Sequence, residues 1–122
     1  MRILIVDDSS ITRRLMKHML RHVSPLEVAE AENGLQAVET YTESRFDLVL
    51  MDLTMPAMNG YEACAAIIQL DPDAQVVIIS ADVQPMARQR CIEAGAVTFI
   101  SKPIDRARID ELIEDAQRRL AC

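Results

Sequence analysis

The chain has 122 residues and a formal net charge of −6, with 50% hydrophobic and 26% charged residues. This length and composition are typical of one soluble globular domain, and the acidic balance argues against direct binding to a nucleic-acid backbone. No apolar run could span a bilayer, and the first one stops at Asp7, too early for a signal peptide. We therefore expect one cytoplasmic domain, residues 1–122, that contacts neither nucleic acid nor membrane.

Short apolar runs alternate five times with segments of helical period. The runs comprise Ile3–Val6, Leu26–Ala29, Leu48–Met51, Val76–Ile79 and Val97–Ile100. Most are continuously apolar, which is typical of strands that are buried on both faces of a parallel sheet.

The first helix is predicted to follow Ser9 and Ser10. Its apolar stripe consists of Ile11, Leu15, Met16, Met19 and Leu20. Four basic residues, Arg13, Arg14, Lys17 and Arg21, are predicted to form a solvated face of the same helix.

The later helices have recognisable ends. Asn33, Asn59 and Asp105 are predicted N-caps, with Glu62 completing a capping box and Gly95 ending the fourth helix. The predicted apolar faces are Leu35, Val38 and Tyr41 in the second helix, Cys64, Ile67 and Ile68 in the third, and Ile109, Leu112, Ile113, Ala116 and Leu120 in the fifth. Five β-α units then predict an open α/β sandwich with helices on both faces of a parallel sheet.

The three cysteines are Cys64, Cys91 and Cys122. They are odd in number and lack the spacing of a metal site, so we interpret them as free thiols in a reducing compartment. Two of them are expected to be small core residues, and the third is the terminal residue.

Side chains that could bind a ligand or take part in a reaction follow four of the five predicted strands. Asp7 and Asp8 follow the first strand, Asp52 the third, Ser80 the fourth and Lys102 the fifth. The carboxyl ends of parallel strands meet at one edge of a sheet, so these groups should converge there. Taken alone, an acidic pair is usually a helix cap and a Lys-Pro pair is usually a loop; only the joint placement favours a site.

Three converging carboxylates repel one another unless a cation lies between them. Mg²⁺ prefers such hard oxygen ligands. Lys102 and Ser80 could donate to phosphoryl oxygens, and Asp52 is a candidate nucleophile because carboxylates form acyl phosphates.

Five segments carry a recognisable combination of motifs. They are ILIVDDS at 3–9, DLVLMDLTMP at 47–56 with MNG at 58–60, ISA at 79–81, EAGA at 93–96 and FISKP at 99–103. In this order, from residue 1 to residue 120, the chain resembles the receiver domains of two-component response regulators, including stand-alone chemotaxis and phosphorelay receivers.

The resemblance implies a flavodoxin-like (βα)5 three-layer sandwich with strand order 2-1-3-4-5. It implies that Asp52 is phosphorylated and that Mg²⁺ is held by the carboxylates of Asp8 and Asp52 and the carbonyl of Thr54, with Asp7 acting mostly through a metal-bound water. Lys102 would contact the phosphoryl group and precede a cis peptide bond to Pro103.

The family also implies partners and a switch. Ser80 and Phe99 resemble the switch pair, and the face formed by the fourth helix, fifth strand and fifth helix would meet an unidentified downstream protein. The phosphoryl donor would be a histidine kinase or a histidine phosphotransfer domain, with Ile11 and Leu15 as candidate docking residues. The domain would not be an enzyme beyond its own phosphorylation and autodephosphorylation.

The sequence fits three other functions less well. A hydrolase similar to haloacid dehalogenases would have an Asp-x-Asp pattern after the first strand, whereas Asp7 and Asp8 are adjacent. A flavin-binding module would need a hydroxyl-rich loop there and more aromatic residues than two Tyr and two Phe. The remaining alternative is a degenerate receiver used only as a protein-interaction module, and the complete acidic set with Lys102 counts against it.

Overall fold

The computed structural model describes residues 1–121 as five strands that alternate with five helices. The strands are β1 (Arg2–Val6), β2 (Glu27–Ala31), β3 (Leu48–Asp52), β4 (Val76–Ser80) and β5 (Thr98–Ser101). The helices are α1 (Ser10–Leu20), α2 (Gly34–Glu43), α3 (Gly60–Leu70), α4 (Pro85–Glu93) and α5 (Arg106–Ala121). Among these residues, no helix combines the length and the apolar character that crossing a bilayer requires.

All neighbouring strands pair in parallel, in the order β2-β1-β3-β4-β5. The predicted flavodoxin-like order is therefore confirmed. The central strands β1 and β3 are adjacent, and the chain leaves them toward opposite edges of the sheet. A crevice opens at such a reversal, outside the carboxyl ends of the strands.

The core consists of two layers, one on each face of the sheet. One layer contains residues of α2, α3 and α4 against the sheet, among them Ala37, Tyr41, Ala63, Cys64, Ile67 and Cys91. The other contains residues of α1 and α5, among them Met16, Leu20, Ile109, Leu112 and Ile113. Successive residues of β3 alternate between the layers and are all buried, as a continuously apolar run predicts.

Two strands begin and end later than their apolar runs. β2 spans Glu27–Ala31 rather than 26–29, and β5 spans Thr98–Ser101 rather than 97–100. Both are edge strands of the sheet, where one side is less buried, so polar residues such as Glu27, Glu30 and Ser101 are tolerated within them. An apolar run is therefore a poorer guide to the limits of an edge strand.

The predicted helix ends are confirmed. Asn33 accepts a hydrogen bond from the Gln36 amide, and Asn59 and Glu62 form a reciprocal capping box. Asp105 accepts from the Arg108 amide at 2.8 Å. Gly95, with φ of +107°, lies just beyond the end of α4.

The predicted stripe of α1 is wrong in part. Met16 and Leu20 are buried, but Ile11 and Leu15 are 69% and 56% exposed, and Arg13 is buried instead. Positions 13, 16 and 20 share one helical face, whereas 11 and 15 lie on another. Leu35 and Leu120, predicted for the faces of α2 and α5, are likewise exposed.

Cys64 and Cys91 are buried free thiols, as predicted. Burial raises the pKa of Cys64 to about 12, which keeps this thiol protonated and unreactive. Cys122 lies outside the described residues.

Candidate functional site

The strand register brings the acidic residues together. Val6 pairs with Met51, so that Asp7 and Asp52 lie side by side at the carboxyl edge of the sheet. One carboxylate oxygen from each of Asp7, Asp8 and Asp52 lies within 4.8 Å of the other two. Asp7 and Asp52 are buried and Asp8 is exposed. They lie where a crevice is expected outside the carboxyl ends of the strands, and we call this place the acidic crevice.

Lys102 reaches into this cluster from the loop after β5. Its Nζ lies 3.1 Å from Oδ2 of Asp7 and 3.3 Å from Oδ1 of Asp52. The Lys102 amide donates to the Ser80 carbonyl at 2.8 Å, which fixes the loop to the end of β4. The bond from Lys102 to Pro103 is cis, as expected.

Burial and neighbouring charges shift the pKa values of Asp52 and Lys102. Burial raises the pKa of Asp52, the charge of Lys102 opposes that rise, and the Asp7 carboxylate adds to it. Burial alone would lower the pKa of Lys102, but its hydrogen bond to Asp7 and the charges of Asp52 and Asp7 raise it. Lys102 is therefore charged at neutral pH, and its ammonium pairs with two of the three carboxylates, those of Asp7 and Asp52.

The carboxylates of Asp7 and Asp52 differ in which of their oxygens accept hydrogen bonds or ion pairs. In Asp7, Oδ1 accepts from the Ser9 amide at 2.9 Å and Oδ2 accepts from Lys102. In Asp52, the amide of Leu53 and the ammonium of Lys102 both approach Oδ1. Within residues 1–121, Oδ2 of Asp52 receives no hydrogen bond and is the oxygen available for chemistry.

The loop after β3 folds back closely over Asp52. A Cβ atom on Gly60 would lie only 2.4 Å from the Asp52 carbonyl oxygen and 2.8 Å from Cα of Leu53. Only glycine fits this approach, which the Gly60 amide secures with a hydrogen bond to the Leu53 carbonyl at 2.7 Å. Thr54 lies in this loop, exposed, and its carbonyl as a metal ligand stays a prediction.

Ser80 and Phe99 face the same side of the sheet. Residues of β4 alternate between the two core layers, which puts Ser80 on the α2–α4 side with Ile78. Phe99 pairs with Ile78 and lies on that side too, and the residue is 7% exposed. Ser80 is buried, and its Oγ accepts from the Asp82 amide at 3.0 Å.

Ile11 and Leu15 are not part of the acidic cluster, and only Leu15 shares a recess with Lys102. Both are exposed on α1, and Leu15 borders a recess of about 180 Å³. The recess lies between α1 and the loop after β5 and is also lined by Thr12, Met16, Met19, Lys102, Pro103 and Ile104.

Sequence reasoning missed Arg13, which was predicted to lie on a solvated face. Its guanidinium is buried, with Nη1 donating to the Asp7 carbonyl at 2.6 Å and Nε to Glu30 at 3.0 Å. Its spacing with Met16 and Leu20, three and seven positions on, is the signal that could have revealed its buried face.

The donor set fits a hard divalent cation. Asp7, Asp8 and Asp52 offer only carboxylate oxygens, which suit Mg²⁺ or Ca²⁺, and this cluster includes no imidazole or thiolate that would favour zinc. The charges give the same indication, because the ammonium of Lys102 offsets only part of the negative charge of Asp7, Asp8 and Asp52.

Comparison with known proteins agrees with this geometry. The family model described as "Response regulator receiver domain" matches residues 3–114. The chemotaxis protein CheY of Listeria monocytogenes is 42% identical over 118 residues, covering 97% of this chain and 99% of that protein. CheY of Bacillus subtilis is 46% identical over 112 residues, covering 92% and 93% respectively. A solved CheX–CheY–BeF3–Mg complex from Borrelia burgdorferi superposes with a TM-score of 0.85 at 32% identity, covering 93% of this chain and 87% of that one.

Proposed function

Because the chain belongs to the receiver domain family of response regulators, the signalling modules of two-component systems, we propose that Asp52 is its phosphorylated residue. The observation that carries this assignment is the set of contacts at the two buried carboxylates. Both oxygens of Asp7 are engaged, whereas Oδ2 of Asp52 is available beside the ammonium of Lys102. Asp8 is exposed and lacks that shielding from water.

The acidic crevice is proposed to hold Mg²⁺ through the carboxylates of Asp8 and Asp52 and the carbonyl of Thr54. The clustering of three carboxylate oxygens within 4.8 Å supports a cation there, and the Borrelia complex contains Mg together with BeF3. When bound, Mg²⁺ supplies positive charge that offsets the carboxylates and the phosphoryl oxygens.

The chain's own residues account for the transfer step. Oδ2 of Asp52 attacks the phosphorus of a phosphohistidine, the new P–O bond forms as the P–N bond breaks, and the imidazole keeps the electron pair of that bond. Lys102, held between Asp7 and Asp52, would donate to a phosphoryl oxygen once Asp52 carries the acyl phosphate. Ser80 is the neutral donor proposed to follow.

The phosphoryl donor is proposed to be a histidine kinase or a histidine phosphotransfer domain that docks on α1. Ile11 and Leu15 are large exposed apolar residues one helical turn apart. The recess beside Leu15 continues to Lys102, so a partner seated there would lie next to the crevice.

The output is proposed to be read at the face of α4, β5 and α5, by a downstream protein. β5 is an edge strand flanked by α4 on one side of the sheet and α5 on the other. Exposed apolar residues occur in α4 (Met86 and Ile92) and in the segments just before α4 (Val83) and β5 (Val97). A receiver used only for protein contacts would not need the complete set of Asp7, Asp8, Asp52 and Lys102.

Phosphorylation by acetyl phosphate with Mg²⁺ tests the assignment of Asp52. The wild-type chain is expected to gain one phosphoryl group in a mass spectrum, and Asp52→Asn is expected to gain none. Asp73→Asn, an exposed carboxylate before β4, is the matched control and should behave as the wild type. Incorporation by Asp52→Asn at the wild-type rate would overturn the assignment.

A further inference from the structure

A buried arginine needs partners for its charge. Those of Arg13 are a main-chain carbonyl and a carboxylate. The residue is 9% exposed and lies in the first turn of α1. One arm of its guanidinium donates to a main-chain carbonyl, that of Asp7, at 2.6 Å. The other side pairs with Glu30 of β2 at 3.0 Å.

Glu30 is itself held in place. Its second oxygen accepts from Lys17 at 3.1 Å. The pKa of Glu30 is lowered, chiefly by this hydrogen bond from Lys17, against the effect of burial and with a further contribution from Arg13. Glu30 therefore stays ionised at neutral pH, and its two oxygens pair with Arg13 and Lys17 although its side chain is 37% exposed.

The Asp7 carbonyl belongs to the peptide group that joins Asp7 to Asp8. Because a peptide group is planar, fixing its oxygen also fixes the direction in which Asp8 leaves the strand. The other side of Asp7 is fixed as well, since its amide donates to the Ala31 carbonyl at 3.1 Å. The amide of Ser9, in turn, donates to Oδ1 of Asp7 at 2.9 Å.

We propose that Arg13, anchored by Glu30, is a positioning residue for the acidic crevice. It clamps the Asp7–Asp8 peptide so that both carboxylates face Asp52, and it does so without binding the cation or the phosphoryl group. The inference rests on the proposed function, since it concerns the site that would bind Mg²⁺.

If Arg13 is replaced, a role as a clamp and a role as a mere positive charge predict opposite changes in Mg²⁺ affinity. A guanidinium near a cation site repels the cation, so its loss would strengthen Mg²⁺ binding if charge were its only role. Loss of a clamp weakens binding, because the carboxylates no longer converge. Lysine separates the two effects, since it keeps the charge but lacks the planar fork that reaches two acceptors.

The test compares Arg13→Lys, Arg13→Met and Glu30→Gln with Arg14→Lys and Arg14→Met. Arg14 is the exposed neighbour on the same helix and gives the same change of charge. Mg²⁺ affinity is measured by calorimetry, and exchange of the Ser9 amide hydrogen is measured by NMR in metal-free protein. We expect both Arg13 variants to bind Mg²⁺ about tenfold more weakly and to exchange the Ser9 amide faster, with Glu30→Gln intermediate and both Arg14 variants unchanged.

Equal or tighter Mg²⁺ binding by both Arg13 variants, with normal binding by the wild type, would overturn this inference alone. No Mg²⁺ binding by the wild type would overturn the proposed function and this inference together. Since loss of a buried guanidinium can unfold a domain, thermal unfolding is followed for each variant, and Arg13→Lys and Glu30→Gln decide the matter should Arg13→Met fail to fold.

Discussion

The ammonium of Lys102 lies 3.1 Å from Oδ2 of Asp7, joining two loops that are 95 positions apart in the sequence. It also lies 3.3 Å from Oδ1 of Asp52. Lys102 thus occupies the crevice as a counter-charge that a divalent cation would partly replace. Replacing Lys102 should therefore affect Mg²⁺ binding and phosphorylation differently.

Replacing Lys102 by alanine should separate metal binding from phosphoryl chemistry. Mg²⁺ affinity is expected to stay the same or rise, because a competing positive charge is lost from the carboxylates. Phosphorylation by acetyl phosphate should slow by roughly tenfold to a hundredfold, because a charge-assisted hydrogen bond contributes about 1.5–3 kcal/mol. Calorimetry and the phosphorylation rate measure the two effects.

The control for Lys102→Ala is Arg106→Ala, which removes one positive charge from an exposed position at the start of α5. It should alter neither quantity. A large loss of Mg²⁺ affinity in Lys102→Ala would instead show that Lys102 is needed to hold Asp7 and Asp52 in place.

Asp8 is the exposed carboxylate of the crevice, so its removal should affect the cation with little cost in stability. Asp8→Ala is expected to weaken Mg²⁺ binding by about tenfold or more, since even residues that only support metal ligands contribute that much. Calorimetric titration with Mg²⁺ measures the change. Asp73→Ala removes the same charge from a distant exposed position, and an equal loss there would mean that Asp8 acts only through net charge.

Sequence reasoning placed the strands and the crevice well because both depend on local patterns. Continuously apolar runs predict strands buried on two faces, and the residue after each such strand falls at one edge of the sheet. Asp7, Asp52 and Lys102 meet there as predicted.

Sequence reasoning failed where two faces of one helix compete. On α1, both the stripe of Ile11 and Leu15 and the stripe of Met16 and Leu20 are apolar, and only the packed structure shows that the second is buried. Arg13 was missed for the same reason, because a guanidinium is usually solvated unless tertiary partners such as the Asp7 carbonyl and Glu30 are present. Those partners lie on other elements and cannot be read from the helix itself.

The exposed apolar pair on α1 should matter only for a protein donor. Ile11→Ser and Leu15→Ser are expected to slow phosphotransfer from a phosphorylated histidine kinase or phosphotransfer domain by roughly tenfold, because each loses about 1–2 kcal/mol of interface burial. Phosphorylation by acetyl phosphate, which needs no docking, should be unchanged. Leu120→Ser, exposed on α5, is the control, and equal slowing there would argue against docking on α1.

Tyr41 donates to Asp71 at 2.6 Å in a buried hydrogen bond that joins α2 to the loop before β4. Its donation is the largest cause of the lowered pKa of Asp71, while burial and the Asp71 carboxylate raise the pKa of Tyr41. Tyr41→Phe should reduce the free energy of unfolding by about 1–3 kcal/mol at neutral pH, because it leaves a buried carboxylate without this donor.

The effect of Tyr41→Phe should depend on pH in a defined direction. Because the pKa of Asp71 in the folded state lies below its ordinary value of 3.8, its stabilisation is fully present above that value. It is lost as the pH falls through the lowered pKa, so the difference between variant and wild type should shrink below about pH 4. Denaturant unfolding at pH 7 and at pH 3 measures it, with Tyr61→Phe, which loses only an exposed hydrogen bond from Arg90, as the control. If the stability difference between Tyr41→Phe and the wild type grew as the pH fell, the ionised Asp71 carboxylate would not be the acceptor that Tyr41 stabilises.

Ser80 and Phe99 lie on the same face of adjacent strands, and both are buried on the side where α4 packs. Phosphorylation of Asp52 would add charge and strong acceptor oxygens near the end of β4. If the Ser80 hydroxyl moves toward these oxygens, it leaves its present hydrogen bond with the Asp82 amide. This movement would free space beside the ring of Phe99 on β5. Since Phe99 has no hydroxyl, two positions of its ring would differ in packing alone, and activation would be a shift between existing populations.

Ser80→Ala should therefore break the link between Asp52 and the face of α4, β5 and α5. On phosphorylation by acetyl phosphate, the wild type is expected to show amide shift changes along residues 83–105, together with slow exchange at Phe99 before phosphorylation. Ser80→Ala should still accept the phosphoryl group but confine its shift changes to the surroundings of Asp7, Asp8 and Asp52. Ser101→Ala, the exposed cross-strand neighbour of Ser80, should respond as the wild type does. Shift changes along residues 83–105 that persisted undiminished in Ser80→Ala would mean that the signal reaches α4 without the Ser80 hydroxyl.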